Sequence, residues 1–230
     1  MNIVHTPLVA AAILAVATAG ARAQVPGTDA PRVITYIEVS PTSAGTAAGI
    51  LRRAAAASRK EAGNLRFEIL QHLERPGELA ILEAWSDAKA FETHEGGATL
   101  KALRGELDPL RVGYFDRRLE TAIDIDAAAN EPGKDAVYVA THVDVTGQFK
   151  DDAIVLMKKL AAESRKQDGA TRFEVWQQNN RLNHFTVVEV WKDQALLHAH
   201  NAAAPARGFR DEVGRMMGAL YDDRRYKDLE

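Results

Sequence analysis

The sequence contains no cysteine. This absence excludes a disulfide framework, a thiol nucleophile, iron–sulfur ligation and any zinc site built on cysteine. Aromatic residues make up only 7% of the chain, and 29 Lys and Arg residues face 32 Asp and Glu residues. Because a nucleic-acid backbone is bound by a basic patch, nucleic acid is not expected as a partner. Any chemistry must use His, carboxylate, hydroxyl, Trp or Tyr side chains.

Long apolar runs are also scarce, and the one that is present, PLVAAAILAVATAG, spans Pro7 to Gly20. It is followed by Ala21-Arg22-Ala23, a small-x-small pattern typical of signal-peptide cleavage. The run is shorter than the roughly 20 residues that a membrane-spanning helix needs. We therefore predict a signal peptide over residues 1–23, a periplasmic or secreted location and no membrane contact after cleavage. A retained N-terminal anchor is the alternative.

The rest of the chain contains an internal repeat. Ser58–Gln71 (SRKEAGNLRFEILQ) returns as Ser164–Gln177 (SRKQDGATRFEVWQ), at an offset of 106 residues. At that offset Arg32–Arg118 and Tyr138–Arg224 share 24 identities in 87 positions without a gap, which indicates duplication of one domain. The predicted organisation is repeat one over 32–118, a linker over 119–135 and repeat two over 136–226.

Within each repeat the residue periodicity changes in the same order. A β-branched alternating run is followed by a helical run that ends at Gly63 or Gly169, then by two strand-like runs, a helical region that begins at Asp87 or Asp193, and a last strand. The second helical region is interrupted by Gly96-Gly97 in repeat one and before Pro205 in repeat two. The order βαββαβ predicts an α+β fold of tandem ferredoxin-like domains. Since helices cover one face of each sheet, we expect the two sheets to pack on each other as an intramolecular pseudo-dimeric α+β barrel.

One set of residues is repeated at constant spacing in both copies. Repeat one has Gly63-x-x-Arg66-Phe67-Glu68, then Glu83-x-Trp85-x-Asp87, then His94, and repeat two has the same residues 106 positions later. This pattern resembles the antibiotic biosynthesis monooxygenase domain of the dimeric α+β barrel superfamily. The resemblance implies cavities between sheet and helices and, in several members, oxygenation of quinols or phenols by O₂ without a metal, flavin or haem. Haem-degrading relatives have their proximal histidine further along the helix, where this chain has Thr99 and Pro205, so haem is disfavoured.

The repeated His and Trp residues are the first candidates for chemistry. His200 and His94 would act as the base that removes a proton from a phenol or quinol, and Trp191 and Trp85 would wall an aromatic pocket. Packing of these residues within the core is the alternative for both pairs.

Repeat two carries more of the candidate residues. Arg172 would stabilise developing negative charge, with an ion pair across the sheet interface as the alternative. The further candidates for contact with the substrate are His142, Tyr36, Trp176 and Phe173. No metal ligand set is expected, because His198 and His200 stand two residues apart on a helix and point in different directions.

These observations lead to one leading expectation and one alternative. The leading function is an exported, cofactor-independent monooxygenase of small quinol or phenolic compounds that uses O₂. The alternative is a non-catalytic scaffold that binds a small aromatic ligand or a partner protein. The sequence leaves open which repeat is active and whether the internal pseudo-dimer assembles further into a homo-oligomer.

Overall fold

The computed structural model describes residues 30–126 and 129–230, so the predicted signal peptide lies outside the described residues. Both repeats have the element order βαββααβ. Repeat one consists of β1 (Pro31–Val39), α1 (Ala44–Ser58), β2 (Asn64–His72), β3 (Glu78–Trp85), α2 (Ala88–Glu95), α3 (Ala98–Leu107) and β4 (Arg111–Asp124). Repeat two consists of β5 (Val137–Asp144), α4 (Lys150–Ser164), β6 (Ala170–Gln178), β7 (His184–Trp191), α5 (Gln194–Ala202), α6 (Ala204–Val213) and β8 (Asp222–Asp228).

The repeated glycines and aspartates have the local roles that the sequence predicts. Gly63 and Gly169 adopt positive φ angles of 81° and 79° in the turn that leads from the first helix to the next strand. A Cβ at Gly63 would collide with Ala90, so both backbone conformation and space require glycine there. Asp87 and Asp193 cap α2 and α5, because each side chain accepts a hydrogen bond from a backbone N–H of the first turn.

The eight strands close into one antiparallel barrel in the order β1-β3-β2-β8-β5-β7-β6-β4. Each repeat supplies four neighbouring strands, and the two sheets join through β2 with β8 and through β4 with β6. The predicted pseudo-dimeric α+β barrel is thereby confirmed. The helices of each repeat cover the outer face of its own sheet in a separate apolar core, and a third apolar cluster fills the barrel lumen.

Two boundaries differ from the sequence expectation. β4 continues to Asp124, so the first six residues of the segment predicted as a linker, 119–124, are strand. Their backbone groups pair with β6 of repeat two, a partner that local periodicity does not show. β8 begins at Asp222 and ends at Asp228, so it extends beyond residue 226, where repeat two was predicted to end.

Within residues 30–126 and 129–230, no helix is long and apolar enough to cross a membrane.

Candidate functional site

Each repeat builds a buried cluster of glutamate, tryptophan and histidine. In repeat one, Glu83 and Trp85 lie two residues apart on β3 and therefore share one face. The indole Nε1 of Trp85 donates to Glu83 Oε2 at 3.0 Å. His94 of α2 stacks on Trp85 with 4.5 Å between ring centroids, and its Nε2 lies 3.5 Å from Glu83 Oε2. Its Nδ1 contacts a second carboxylate, Glu61 Oε2, at 2.7 Å.

Repeat two has the same cluster, with a neutral amide in place of the second carboxylate. Trp191 Nε1 donates to Glu189 Oε2 at 2.7 Å, and His200 stacks on Trp191 at 4.5 Å. His200 Nδ1 contacts the amide oxygen of Gln167 at 3.0 Å, where repeat one has a carboxylate. Burial and, secondarily, the charge of Arg210 lower the pKa of His200 to about 4. His200 is therefore a neutral imidazole at neutral pH.

The four predicted His and Trp site residues are packed within the helix–sheet cores. His94 and His200 are 1% and 3% exposed, and Trp85 and Trp191 are 0% exposed. Each indole is covered on one face by the imidazole that stacks on it, and the contact of the tryptophans with a substrate stays a prediction. Each histidine lies in the core beside its tryptophan and its glutamate, and no face of the imidazole is open to a ligand.

Phe173 and Trp176, which were predicted to contact substrate, are also fully buried. Phe173 packs edge-on against His200, with ring centroids 6.1 Å apart, in the core of repeat two. Trp176 lies in the barrel lumen and donates from Nε1 to Glu174 Oε2 at 2.9 Å. The strand alternation sends the two side chains to opposite faces of β6.

Arg172 takes part in a reciprocal pair of ion pairs that join the repeats. Its guanidinium donates to both carboxylate oxygens of Glu68 at 3.0 and 2.8 Å. At the equivalent positions, Arg66 donates to both oxygens of Glu174 at 3.2 and 3.0 Å. The arginine charges lower the pKa of Glu174 to about 2 against the opposing effect of burial. Arg172 is thus the interface ion pair that the sequence left as the alternative to an anion-binding role.

Tyr36 and His142 meet inside the barrel. The Tyr36 hydroxyl lies 2.6 Å from His142 Nε2, and His142 Nδ1 lies 3.3 Å from the Thr186 hydroxyl. Burial, with the charge of Arg118 next, lowers the pKa of His142 to about 2, so this imidazole is neutral. The two side chains belong to the lumen and are separated by the sheet from the outer face that carries the glutamate clusters.

On the outer face of repeat one, Arg117 of β4 fills the space beside Glu83. Its Nη2 donates to Glu83 Oε2 at 3.1 Å, and Nη1 donates to Glu83 Oε1 and to the Thr35 hydroxyl. Its Nε donates to Glu95 Oε2 at 2.8 Å. Burial alone would lower the pKa of Arg117, but the two carboxylates outweigh it and raise the pKa. Repeat one therefore closes its own cleft with a permanently charged side chain.

The equivalent space in repeat two is open. Strand register pairs Thr35 with Arg117 in repeat one and Thr141 with Asp223 in repeat two, so Asp223 stands where the arginine stands. A cleft of about 360 Å³ results between the sheet and α5. It is lined by Val139, Thr141, Glu189, Leu197, His198, Asn201, Arg210, Tyr221, Asp223 and Arg225. We call it the repeat-two cleft.

Glu189 is the buried acid–base group of the repeat-two cleft. Burial raises its pKa to about 7, the hydrogen bond from Trp191 opposes that rise, and the nearby charge of Asp223 adds to it. Arg210 and Arg225 line the same cleft, but Arg225 pairs with Asp223 at 3.1 Å. Arg210 donates to Asn201, so within residues 30–126 and 129–230 no guanidinium is hydrogen-bonded to Glu189. Its carboxyl exchanges a proton near neutral pH.

Metal ligands are not grouped in this part of the molecule. His198 is exposed on α5 and His200 is buried, as expected for residues two apart on a helix. Across the described ranges, no group of three or more His, Asp or Glu side chains is placed to hold a metal ion.

None of the nine predicted site residues lines the repeat-two cleft. The sequence patterns did not single out Glu189, Tyr221, Asp223, Arg210 or Asn201 as site residues. The usable signal was the charge difference between aligned positions. Arg117 aligns with Asp223, and Glu95 aligns with Asn201, so a repeat with a filled cleft can be told from one with an open cleft.

The family model described as "Antibiotic biosynthesis monooxygenase" matches residues 32–105 and 136–212, one match in each repeat. The Bacillus subtilis (strain 168) protein named "Putative monooxygenase YcnE" is 22% identical over 86 residues, which are 37% of this chain and 90% of that protein.

Solved structures match across both repeats. A Fusobacterium nucleatum protein described as a "Putative monooxygenase" has a TM-score of 0.78 at 16% identity, over 87% of this chain and 93% of that chain. A Lactobacillus acidophilus protein described as a "putative monooxygenase" has a TM-score of 0.72 at 12% identity, over 87% and 95%. An "anthrone oxidase-like protein" has a TM-score of 0.69 at 12% identity, over 90% and 93%. At these identities the matches show a shared fold.

Proposed function

Because the chain belongs to the antibiotic biosynthesis monooxygenase family, we propose that it is a monooxygenase that oxygenates small phenolic or quinol compounds in the repeat-two cleft. The observation that carries this proposal is Glu189, a buried carboxyl with a pKa of about 7 at the base of an open cleft. A group with that pKa is suited to proton transfer at neutral pH. The other repeat has no free group at the same place, since Arg117 binds its glutamate.

The first step is proton transfer from the substrate hydroxyl to a carboxylate oxygen of Glu189. The phenolate that forms is electron-rich enough to pass one electron to O₂, and the resulting superoxide combines with the ring radical. Glu189 returns the proton to the peroxide, the C–H bond of the attacked ring carbon and the O–O bond break, and the outer oxygen leaves as water with these two hydrogens. The inner oxygen of O₂ stays on the ring as a quinone carbonyl. Arg210 and Arg225 at the cleft supply the positive charge that favours the phenolate.

Glu189 takes the role of base that the sequence suggested for His200. The His200 Nε2 lies 3.6 Å from Glu189 Oε2, and Trp191 donates to that same oxygen. His200 and Trp191 contact the carboxyl from the core side of the sheet and are positioning residues. Because His200 is neutral at neutral pH, it adds no positive charge that would ionise Glu189 early.

Two further parts of the proposal come from the sequence. The reaction is proposed to need no metal, flavin or haem, as the family resemblance implies. The protein is proposed to act after export, following cleavage of residues 1–23, which is tested by locating the full-length chain in cell fractions and determining its mature N-terminus.

The test is O₂ uptake by the metal-stripped protein with a panel of hydroquinones, catechols and naphthols, and incorporation of label from ¹⁸O₂ into the product. Glu189→Gln removes the base and keeps the size of the side chain. We expect uptake to fall by about 100-fold or more. The matched control is Glu83→Gln in repeat one, which should keep uptake once circular dichroism has shown that it is folded.

The packed histidines and tryptophans favour a second candidate, a non-catalytic protein that binds an aromatic ligand in the same cleft. Ligand binding in the cleft without O₂ uptake above the uncatalysed rate, across the whole panel, would support that candidate and contradict the monooxygenase.

A further inference from the structure

The guanidinium of Arg117 in repeat one shows what kind of group the repeat-two cleft is built to hold. Arg117 presents two parallel N–H donors to the two oxygens of Glu83, and Nη1 also donates to the Thr35 hydroxyl at 3.0 Å. The guanidinium lies within the protein with its side chain 8% exposed. It therefore fills the cleft of repeat one as an internal ligand would.

The glutamate acceptor for such a group is retained in repeat two and the arginine donor is absent, while the Tyr221 side chain hydrogen-bonds Thr141. Glu189 and Thr141 occupy the positions of Glu83 and Thr35, and β5 and β7 pair in the same register as β1 and β3. Asp223 replaces the arginine and has no N–H to offer. The carboxyl of Glu189 thus faces an open cleft in which two adjacent acceptor oxygens lack the paired donors that repeat one provides.

The charges of the two clefts decide which chemical class can supply those donors. In repeat one, the two negative charges of Glu83 and Glu95 exceed the single positive charge of Arg104, so the guanidinium of Arg117 neutralises the site.

In repeat two the fixed charges already balance when Glu189 is ionised. Glu189 and Asp223 face Arg210 and Arg225, and Asn201 replaces the second glutamate. His198 and Tyr221 complete the polar lining. A cation would leave the cleft with an excess positive charge, whereas a neutral molecule with two adjacent donors keeps it neutral.

We infer that the repeat-two cleft binds a neutral aromatic ring with two adjacent hydroxyl groups, a catechol, whose two O–H groups donate to the two oxygens of Glu189. The ring lies between the apolar side chains of Val139 and Leu197 and the Tyr221 side chain, which line the cleft. The cleft volume of about 360 Å³ accommodates one ring with a substituent. This inference deepens the proposed function, because it narrows the phenolic substrate to a vicinal diphenol.

The experiment is isothermal titration under nitrogen, so that binding is measured without oxidation. The probes are catechol, resorcinol and hydroquinone, which have the same atoms and differ in the spacing of the hydroxyls, and benzamidinium as a cation with paired donors. We expect catechol to bind at least about tenfold more tightly than its two isomers and than benzamidinium. Equal binding of the three isomers, or tighter binding of benzamidinium, would overturn the inference.

Two variants locate the binding. Glu189→Gln should reduce catechol to the affinity of resorcinol, because the amide offers one acceptor in place of two. Asp223→Arg should abolish binding of all probes, because it places the guanidinium of repeat one in the cleft. Catechol binding that survives Asp223→Arg in a folded protein would contradict the assignment. The two proposals can be contradicted independently. Selective catechol binding without O₂ uptake contradicts only the monooxygenase, and O₂ uptake without a preference among the isomers contradicts only the catechol inference.

Discussion

The two repeats have the same fold and keep the same Glu, Trp and His cluster, but only one leaves a cleft beside it. In repeat one, Arg117 binds Glu83 and closes the space, and in repeat two Asp223 leaves Glu189 facing a cleft. The change from a long cation to a short anion opens the space, and it changes the electrostatics together with Asn201 and Arg225, which stand where repeat one has Glu95 and Leu119. Two copies of a duplicated domain can thus differ in their clefts and charges through a few side chains, while the residues that fix the fold are kept.

The largest expected effect comes from making repeat two resemble repeat one. Asp223→Arg should lower O₂ uptake by about 100-fold or more, because the new guanidinium binds Glu189 and occupies the cleft. The midpoint of thermal unfolding should not fall, since the buried carboxyl gains a partner. Measurement of O₂ uptake beside thermal unfolding checks both. Wild-type uptake in this variant would show that the reaction occurs elsewhere.

The next largest effect is on stability, and it should distinguish the two glutamates. Glu83→Gln leaves the guanidinium of Arg117 buried with only the partly exposed Glu95 as its ion partner, so we expect a loss of about 3 kcal/mol in the free energy of unfolding. Glu189→Gln removes no ion pair and should not reduce stability at neutral pH. Urea unfolding of the two variants measures both changes in the free energy of unfolding. Equal losses would mean that Arg117 does not depend on Glu83.

The stability of the protein should also depend on pH through Glu189. The pKa of Glu189 is raised from 4.5 to about 7, so the folded protein retains a proton that the unfolded chain releases. Stability from this group is complete below pH 4.5 and is lost as the pH rises to about 7, by about 3 kcal/mol in total.

The Glu189→Gln variant should lack that loss, so its stability relative to wild type should rise between pH 4.5 and 7. The measurement is urea unfolding at a series of pH values. His200, whose folded pKa is lowered to about 4, is present in both proteins and contributes a slope of the opposite sign. A constant difference across this range would contradict the raised pKa of Glu189.

The smallest expected effect concerns the reciprocal ion pairs that join the repeats. Arg172 is 4% exposed, and its equivalent Arg66 has a side chain 20% exposed. Arg172→Met should cost about 2 kcal/mol and Arg66→Met about 1 kcal/mol, because the more buried pair is less screened by solvent. Urea unfolding checks the order. A larger loss for Arg66→Met would show that burial does not determine how much each of these ion pairs contributes to the free energy of unfolding.

The fold could be predicted from the sequence because its signals are local and occur twice. Strand alternation, the glycines at positions 63 and 169 and the caps at Asp87 and Asp193 each depend on a few neighbouring residues. The pairing of β4 with β6 could not be predicted, since it joins strands of different repeats. The repeat-two cleft could not be predicted for a related reason: a repeated residue such as Trp191 packs in the core, whereas the cleft depends on Asp223, at a position where the repeats differ.

The contact between Tyr36 and His142 has a consequence for how such a barrel can evolve. The two residues stand 106 positions apart, so they are copies of one ancestral position that meet across the pseudo-twofold axis. In an assembly of two identical chains, that position would face itself, and only self-complementary side chains would be tolerated there. Joining the two domains in one gene frees each side of the axis to mutate alone, so that a phenol can be matched with an imidazole inside the barrel.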